Sequence, residues 1–76
     1  MSEKEWLVEI RVKDWIATPN RVVGYEEVVA HDELSARMSG YDQFAHRVKY
    51  EPIMRRRFQA LGLKLTEVCA PYAVEI

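Results

Sequence analysis

The chain is poor in the residues that staple, punctuate or span. Of its 76 residues one is cysteine, three are proline and three are glycine. A single thiol, Cys69, excludes an internal disulfide framework and fits a reducing compartment. No apolar run approaches the ~20 residues that cross a bilayer. The opening residues, Met1-Ser2-Glu3-Lys4-Glu5-Trp6, carry no signal-peptide pattern. These absences predict a soluble cytoplasmic protein. Gly24, Gly40 and Gly62 stand too far apart for a phosphate-binding loop. No cysteine or histidine pair has metal-ligand spacing, so neither a metal nor a cofactor is expected. Repeats, linkers and low-complexity stretches are missing as well. A single domain over 1–76 is the expectation, small enough that its core is thin.

Neither sign of charge dominates, since the formal net charge is −1. The distribution is uneven, however. Residues 1–33 hold eight acids and four bases, whereas residues 34–76 hold seven bases and four acids. Such a chain is electrically polar along its length and can steer a partner despite a total near zero.

What is present is a clear alternation of periods. Trp6, Val8, Ile10 and Val12 recur every second residue between mostly charged neighbours, which predicts a strand over 5–16 with one buried face. Pro19-Asn20 is turn chemistry. A second strand over 21–31 follows, antiparallel to the first because the connection is short, with Gly24 marking a bulge or a close approach. Asp32 is placed to cap a helix, with Glu33 in its first turn. Leu34, Met38, Tyr41, Ala45 and Val48 then follow at helical spacing and predict an apolar stripe. Gly40 costs that helix about 1 kcal/mol relative to alanine. Pro52 breaks it, and Met54, Phe58 and Leu61 restart a stripe that ends at Gly62. Two helices over 32–49 and 52–61 are expected.

A third strand is expected over 63–69, and Tyr72, Val74 and Ile76 can add a short edge strand. The order is β-β-α-α-β. It predicts an α+β fold: a mixed or antiparallel sheet of three or four strands, with the helices on one face. A return strand after a helix usually runs parallel to a neighbour, so the simplest product is a mixed sheet whose other face is partly uncovered.

Chemistry-bearing groups are few. Asp42 and His46 are one helical turn apart, but no nucleophile can be set beside them, so a solvated pair is the simpler reading. Glu26-Glu27 and Asp32-Glu33 form an acidic patch in sequence. His31 reads as a turn residue and Cys69 as a small residue near the core. No catalytic residue is assigned, and a small-molecule substrate is not expected.

The strongest polar signal is basic. Arg47, Lys49, Arg55, Arg56 and Arg57 fall within eleven residues, with Tyr50 among them and only Glu51 opposing. Arginines clustered on a helix suit the bidentate recognition of carboxylate or phosphate. Near-zero net charge disfavours a dedicated nucleic-acid binder. Trp15, Tyr25 and Tyr72 fit no buried face and suit an interface. The six residues Arg47, Lys49, Tyr50, Arg55, Arg56 and Arg57 are therefore the candidate partner-binding set.

Three stretches carry a family resemblance: Glu5-Trp6-Leu7-Val8-Glu9, Ala30-His31-Asp32-Glu33-Leu34-Ser35-Ala36 and Leu65-Thr66-Glu67-Val68-Cys69-Ala70-Pro71. Together with the element order, they make the chain resemble the small host-takeover inhibitors of bacteriophages, such as the short RNA polymerase inhibitors of T7-like phages. In size and architecture it is also similar to anti-CRISPR proteins. Here the arginines lie on the second helix, and the last strand offers Lys64 and Glu67 instead, so the target does not carry over. The resemblance implies a mode of action. A non-enzymatic module binds a host protein or ribonucleoprotein complex, through an acidic or nucleic-acid-binding surface, in the host bacterial cytoplasm. The alternatives are an assembly protein that forms a homodimer through its sheet edge, and a weak nucleic-acid-binding domain.

Overall fold

In the computed structural model, residues 2–14, 16–17 and 21–76 are described; the expected turn at Pro19-Asn20 and the residue Trp15 lie outside them. β1 (Lys4–Val12) and β2 (Val22–Ala30) pair antiparallel, from Lys4 opposite Ala30 to Ile10 opposite Gly24. Trp6, Val8, Ile10 and Val12 are buried together, as their alternation requires. The register slips between Ile10 and Arg11, which next pairs with Val22 and leaves Val23 as the extra residue of a bulge beside Gly24. Gly24 also makes a close approach: a Cβ there would stand 3.2 Å from Cε1 of Phe44.

α1 (Glu33–Tyr50) begins where Asp32 caps it, the Ser35 N–H donating to Asp32 Oδ1 at 2.8 Å. That backbone bond favours the ionised form and holds the Asp32 carboxyl below its usual range. α1 stops at Glu51, whose extended backbone (φ −100°, ψ 116°) precedes Pro52. α2 (Pro52–Ala60) starts with that proline in its first turn. Gly62 follows with φ +72°, the left-handed conformation that closes helices.

The phase of α1 differs from the expected stripe. Leu34 and Met38 are 61% and 62% exposed, while Ala36, Gly40, Phe44 and Val48 are buried. Close approach to the sheet is the cause. A Cβ on Gly40 would lie 2.6–2.8 Å from three side-chain atoms of Val8, itself fully buried. The helix can lie this near only along a line of small residues, and the larger apolar side chains are displaced to its flank.

The segment expected as a third strand divides. Leu65–Glu67 is a 3₁₀ turn, in which the Glu67 carboxylate accepts from the Lys64 backbone N–H at 2.9 Å. β3 (Val68–Cys69) and β4 (Ala73–Glu75) follow, separated by residues around Pro71. Both pair antiparallel with β1: β3 beside Arg11 and Val12, β4 beside Trp6, Leu7 and Val8. The sheet is therefore a four-stranded antiparallel one, and the expected parallel neighbour is corrected. Strands β2 and β3 do run the same way across the helical crossover, but β1 occupies the place between them.

The helices cover one face of this sheet. Phe44 and Val48 of α1 and Phe58 of α2 pack on Trp6, Val8, Ile10 and Val68. The Phe44 and Phe58 rings meet edge to face at 5.7 Å. The other face carries Leu7, Glu9 and Arg11 with Tyr25, Val29 and Val74, and none of the described helices lies over it.

Candidate functional site

The candidate site lies where α1 gives way to α2. Glu51 alone joins the helices: its N–H donates to the Arg47 carbonyl at 2.8 Å, and its carbonyl accepts from the Arg55 N–H at 2.9 Å. The basic residues on either side are thus fixed by one tight junction, yet they face different surroundings.

Arg47 is committed within the fold. Its Nη1 donates to Glu26 Oε2 at 2.6 Å, and its Nε lies 3.4 Å from Glu51. Glu26 points to the helical face of the sheet and is only 2% exposed. Gln43 completes its shell with a 3.0 Å bond to Oε1. A buried carboxylate is tolerated when it is paired and hydrogen-bonded. Arg47 therefore leaves the candidate partner-binding set, and it takes Glu51 with it as the nearby opposing acid.

The other candidates face outward. Lys49, Arg55, Arg56 and Arg57 are exposed. Among the described residues, no ion pair involves any of the four. Arg55 reaches back to the Lys49 carbonyl at 3.3 Å. At ~100° per residue, Arg56 lies nearly opposite the buried Phe58, and Arg57 lies to its side. Tyr50 is 69% exposed, with its ring 4.6 Å from that of His46. Exposed Ile53 follows at the start of α2. The structure thus places Lys49, Tyr50, Arg55, Arg56 and Arg57 on the exposed surface around one helix junction, with Arg55 turned toward Lys49 and Arg56 and Arg57 on the outer side of α2 beside Ile53. Ile53 was missed from sequence, although its spacing off the Met54–Phe58–Leu61 stripe already marks it as outward.

Two expected pairings are not formed. His46 meets Tyr50, and no described ion pair joins it to Asp42. Glu26 and Glu27 make no patch, since successive strand residues face opposite ways: Glu26 is buried and Glu27 exposed.

A second polar group sits on the open face of the sheet. Arg11 Nε donates to Glu9 Oε2 at 3.3 Å, and the guanidinium lies 5.8 Å from the centre of the Tyr72 ring. The Tyr72 hydroxyl bonds Glu9, which pushes the Glu9 carboxyl below its usual range and the Tyr72 phenol above its own. Arg11 is in turn held more firmly protonated by Glu9. This group ties the C-terminal segment to β1, so Tyr72 belongs to a clamp rather than to a free interface. Cys69 is half-buried, and burial pushes its thiol up, away from the thiolate a nucleophile needs. No group of metal-ligating side chains forms among the described residues. No helix among them is long and apolar enough to cross a membrane.

Comparison with known proteins adds no neighbour: no family model, no curated protein and no solved structure matches the chain.

Proposed function

We propose that the protein is a non-enzymatic binding module whose α2 face docks on an acidic surface of another macromolecule and blocks it. The mode is that of the phage-encoded inhibitors its sequence resembles. The partner on this reading is a host protein or ribonucleoprotein complex, met in the bacterial cytoplasm, whose acidic or nucleic-acid-binding surface becomes occupied. One observation carries the reading. Three consecutive arginines and Lys49 stand exposed without an ion pair among the described residues, while Glu51, the nearest acid in sequence, pairs with Arg47. Arginine and tyrosine are the residues on which binding energy concentrates, and Tyr50 and Ile53 supply apolar contact within the same face.

The test is the triple charge reversal Arg55→Glu, Arg56→Glu, Arg57→Glu, with the fold checked by circular dichroism. The protein captured by the wild-type chain from bacterial lysate is identified and its affinity measured against both forms. A loss of tenfold or more is expected, and unchanged affinity overturns the reading. A homodimer through the sheet edge is the second reading, because β2 ends the sheet and no described strand pairs with its outer side. Sedimentation as a monomer at micromolar concentration excludes it.

A further inference from the structure

We propose that the groove between the free edge of β2 and helix α2 receives an extended, acidic segment of the partner, which adds to the sheet as a further strand. This inference rests on the reading of α2 as the docking face and states how the partner is held.

The backbone supplies the first half of the case. The Ile76 N–H donates to the Glu5 carbonyl at 2.9 Å, so the Glu5 backbone groups face β4. Backbone groups alternate sides along a strand, and those of Trp6 therefore face β2, as do those of its partner Val28 toward β1. It follows that Tyr25, Glu27 and Val29 turn their N–H and C=O groups outward. The Glu27 carbonyl points the same way and is already taken by Gln43 at 3.2 Å, so the carbonyls left open along this edge are those of Tyr25 and Val29. Among the described residues nothing pairs with the outward groups of Tyr25 and Val29. Natural sheets guard such an edge with proline, lysine, a short strand, a bulge or an inward-pointing charge. β2 has the last two, in its bulge at Val23 and its buried Glu26, but it has no proline or lysine, runs for nine positions, and exposes Tyr25 and Val29 by 52% and 56%.

The groove supplies the second half. Val23, Tyr25, Phe44, Met54, Phe58 and Leu61 line a hollow of about 200 Å³; Arg57 stands among them, as does Glu26, which is buried and already paired with Arg47. A site for a drug-sized ligand takes about 300–1,000 Å³, so this hollow suits one side chain or two. A strand laid on a sheet edge gains affinity from main-chain hydrogen bonds and specificity from pockets that accept alternate side chains. Arg57, the arginine of α2 that lines the groove, sets the complementary charge: an acidic residue two positions from an apolar anchor. A second copy of this chain is the poorer occupant. Its own β2 would present Gly24, Glu26 and Val28 to the groove, and these are already packed beneath its own helices.

The probe is a random decapeptide library displayed on phage and selected on the intact protein; the enriched peptide is synthesised and titrated with amide NMR. The expected peptide alternates apolar and acidic residues, and its largest shifts fall on Tyr25–Val29 and on Met54–Leu61. Methylating alternate backbone nitrogens of the peptide abolishes binding, and Leu61→Lys or Arg57→Glu weakens it at least tenfold. The double variant Arg55→Glu, Arg56→Glu, outside the groove, loses the macromolecular partner but binds the peptide within about threefold of wild type. Failure to enrich a peptide, shifts elsewhere, or full binding by the methylated peptide overturns the groove while leaving the charged face to its own test. Shifts at the β2 edge that grow with protein concentration alone, without peptide, also overturn it in favour of a second copy.

Discussion

Two helices joined by a single residue use arginine in opposite ways. α1 runs for 18 residues and sends Ala36, Gly40, Phe44 and Val48 into the sheet contact. Its Arg47 closes a buried carboxylate. α2 runs for nine residues and buries only Phe58, while its three arginines form no ion pair among the described residues. What separates the two is the element opposite. α1 lies over β2, where Glu26 waits on the covered face and Arg47 takes it; among the described residues no ion pair reaches the arginines of α2. A run of basic residues in a sequence therefore mixes groups with different roles, and only the fold sorts them.

The contrast can be broken first at Phe44. Phe44→Ala empties the middle of the α1 contact and removes the partner ring of Phe58; a loss of about 3–5 kcal/mol is expected by urea denaturation. Arg47→Ala comes next. Stranding a buried carboxylate costs about 3–5 kcal/mol in a sealed site. Arg47 is about a third exposed and Gln43 remains, so about 2 kcal/mol is the expected loss. A stability equal to wild type would dissolve the distinction between Arg47 and the α2 arginines. Gly40→Ala sharpens the contrast within α1. Alanine favours a helix over glycine by about 1 kcal/mol, but overpacking against a stiff, buried Val8 costs about 1–3 kcal/mol. A net destabilisation of about 1 kcal/mol is expected, and a gain would show that the helix can lift from the sheet. Smallest of all, Arg56→Ala shifts stability by no more than about 0.5 kcal/mol, as an exposed side chain without a partner should.

Much of the fold was legible where local chemistry decides it. The alternation from Trp6 to Val12, the Asp32 cap, the Pro52 break and the Gly62 closure each depend on a few neighbouring residues. The α1 phase did not yield, because apolarity favours Leu34 and Met38 whereas a helix seated close to a sheet selects Ala36 and Gly40. The burial of Glu26 was hidden as well, since an acid on a loosely patterned strand is rescued only by Arg47 and Gln43 far along the chain. Leu63 and Leu65 suggested strand pairing, but the Glu67 carboxylate folds that stretch into a turn. Of the candidate site, the exposed members were readable from their offset to Met54, Phe58 and Leu61. The groove was not, because it needs β2 and α2 side by side.

The central position of β1 has a consequence for how the chain reaches this state. On one side β1 meets its hairpin partner, with the Trp6 ring bonding Ala30 across 24 positions. On the other it meets strands from the far end, with Cys69 contacting Val12 across 57 positions. Nearby contacts close quickly and distant ones slowly. The hairpin can therefore form while the second side of β1 still lacks a partner. Until β3 and β4 arrive, that side is a temporary edge, and this is the interval in which the folding chain is most open to pairing with the wrong strand.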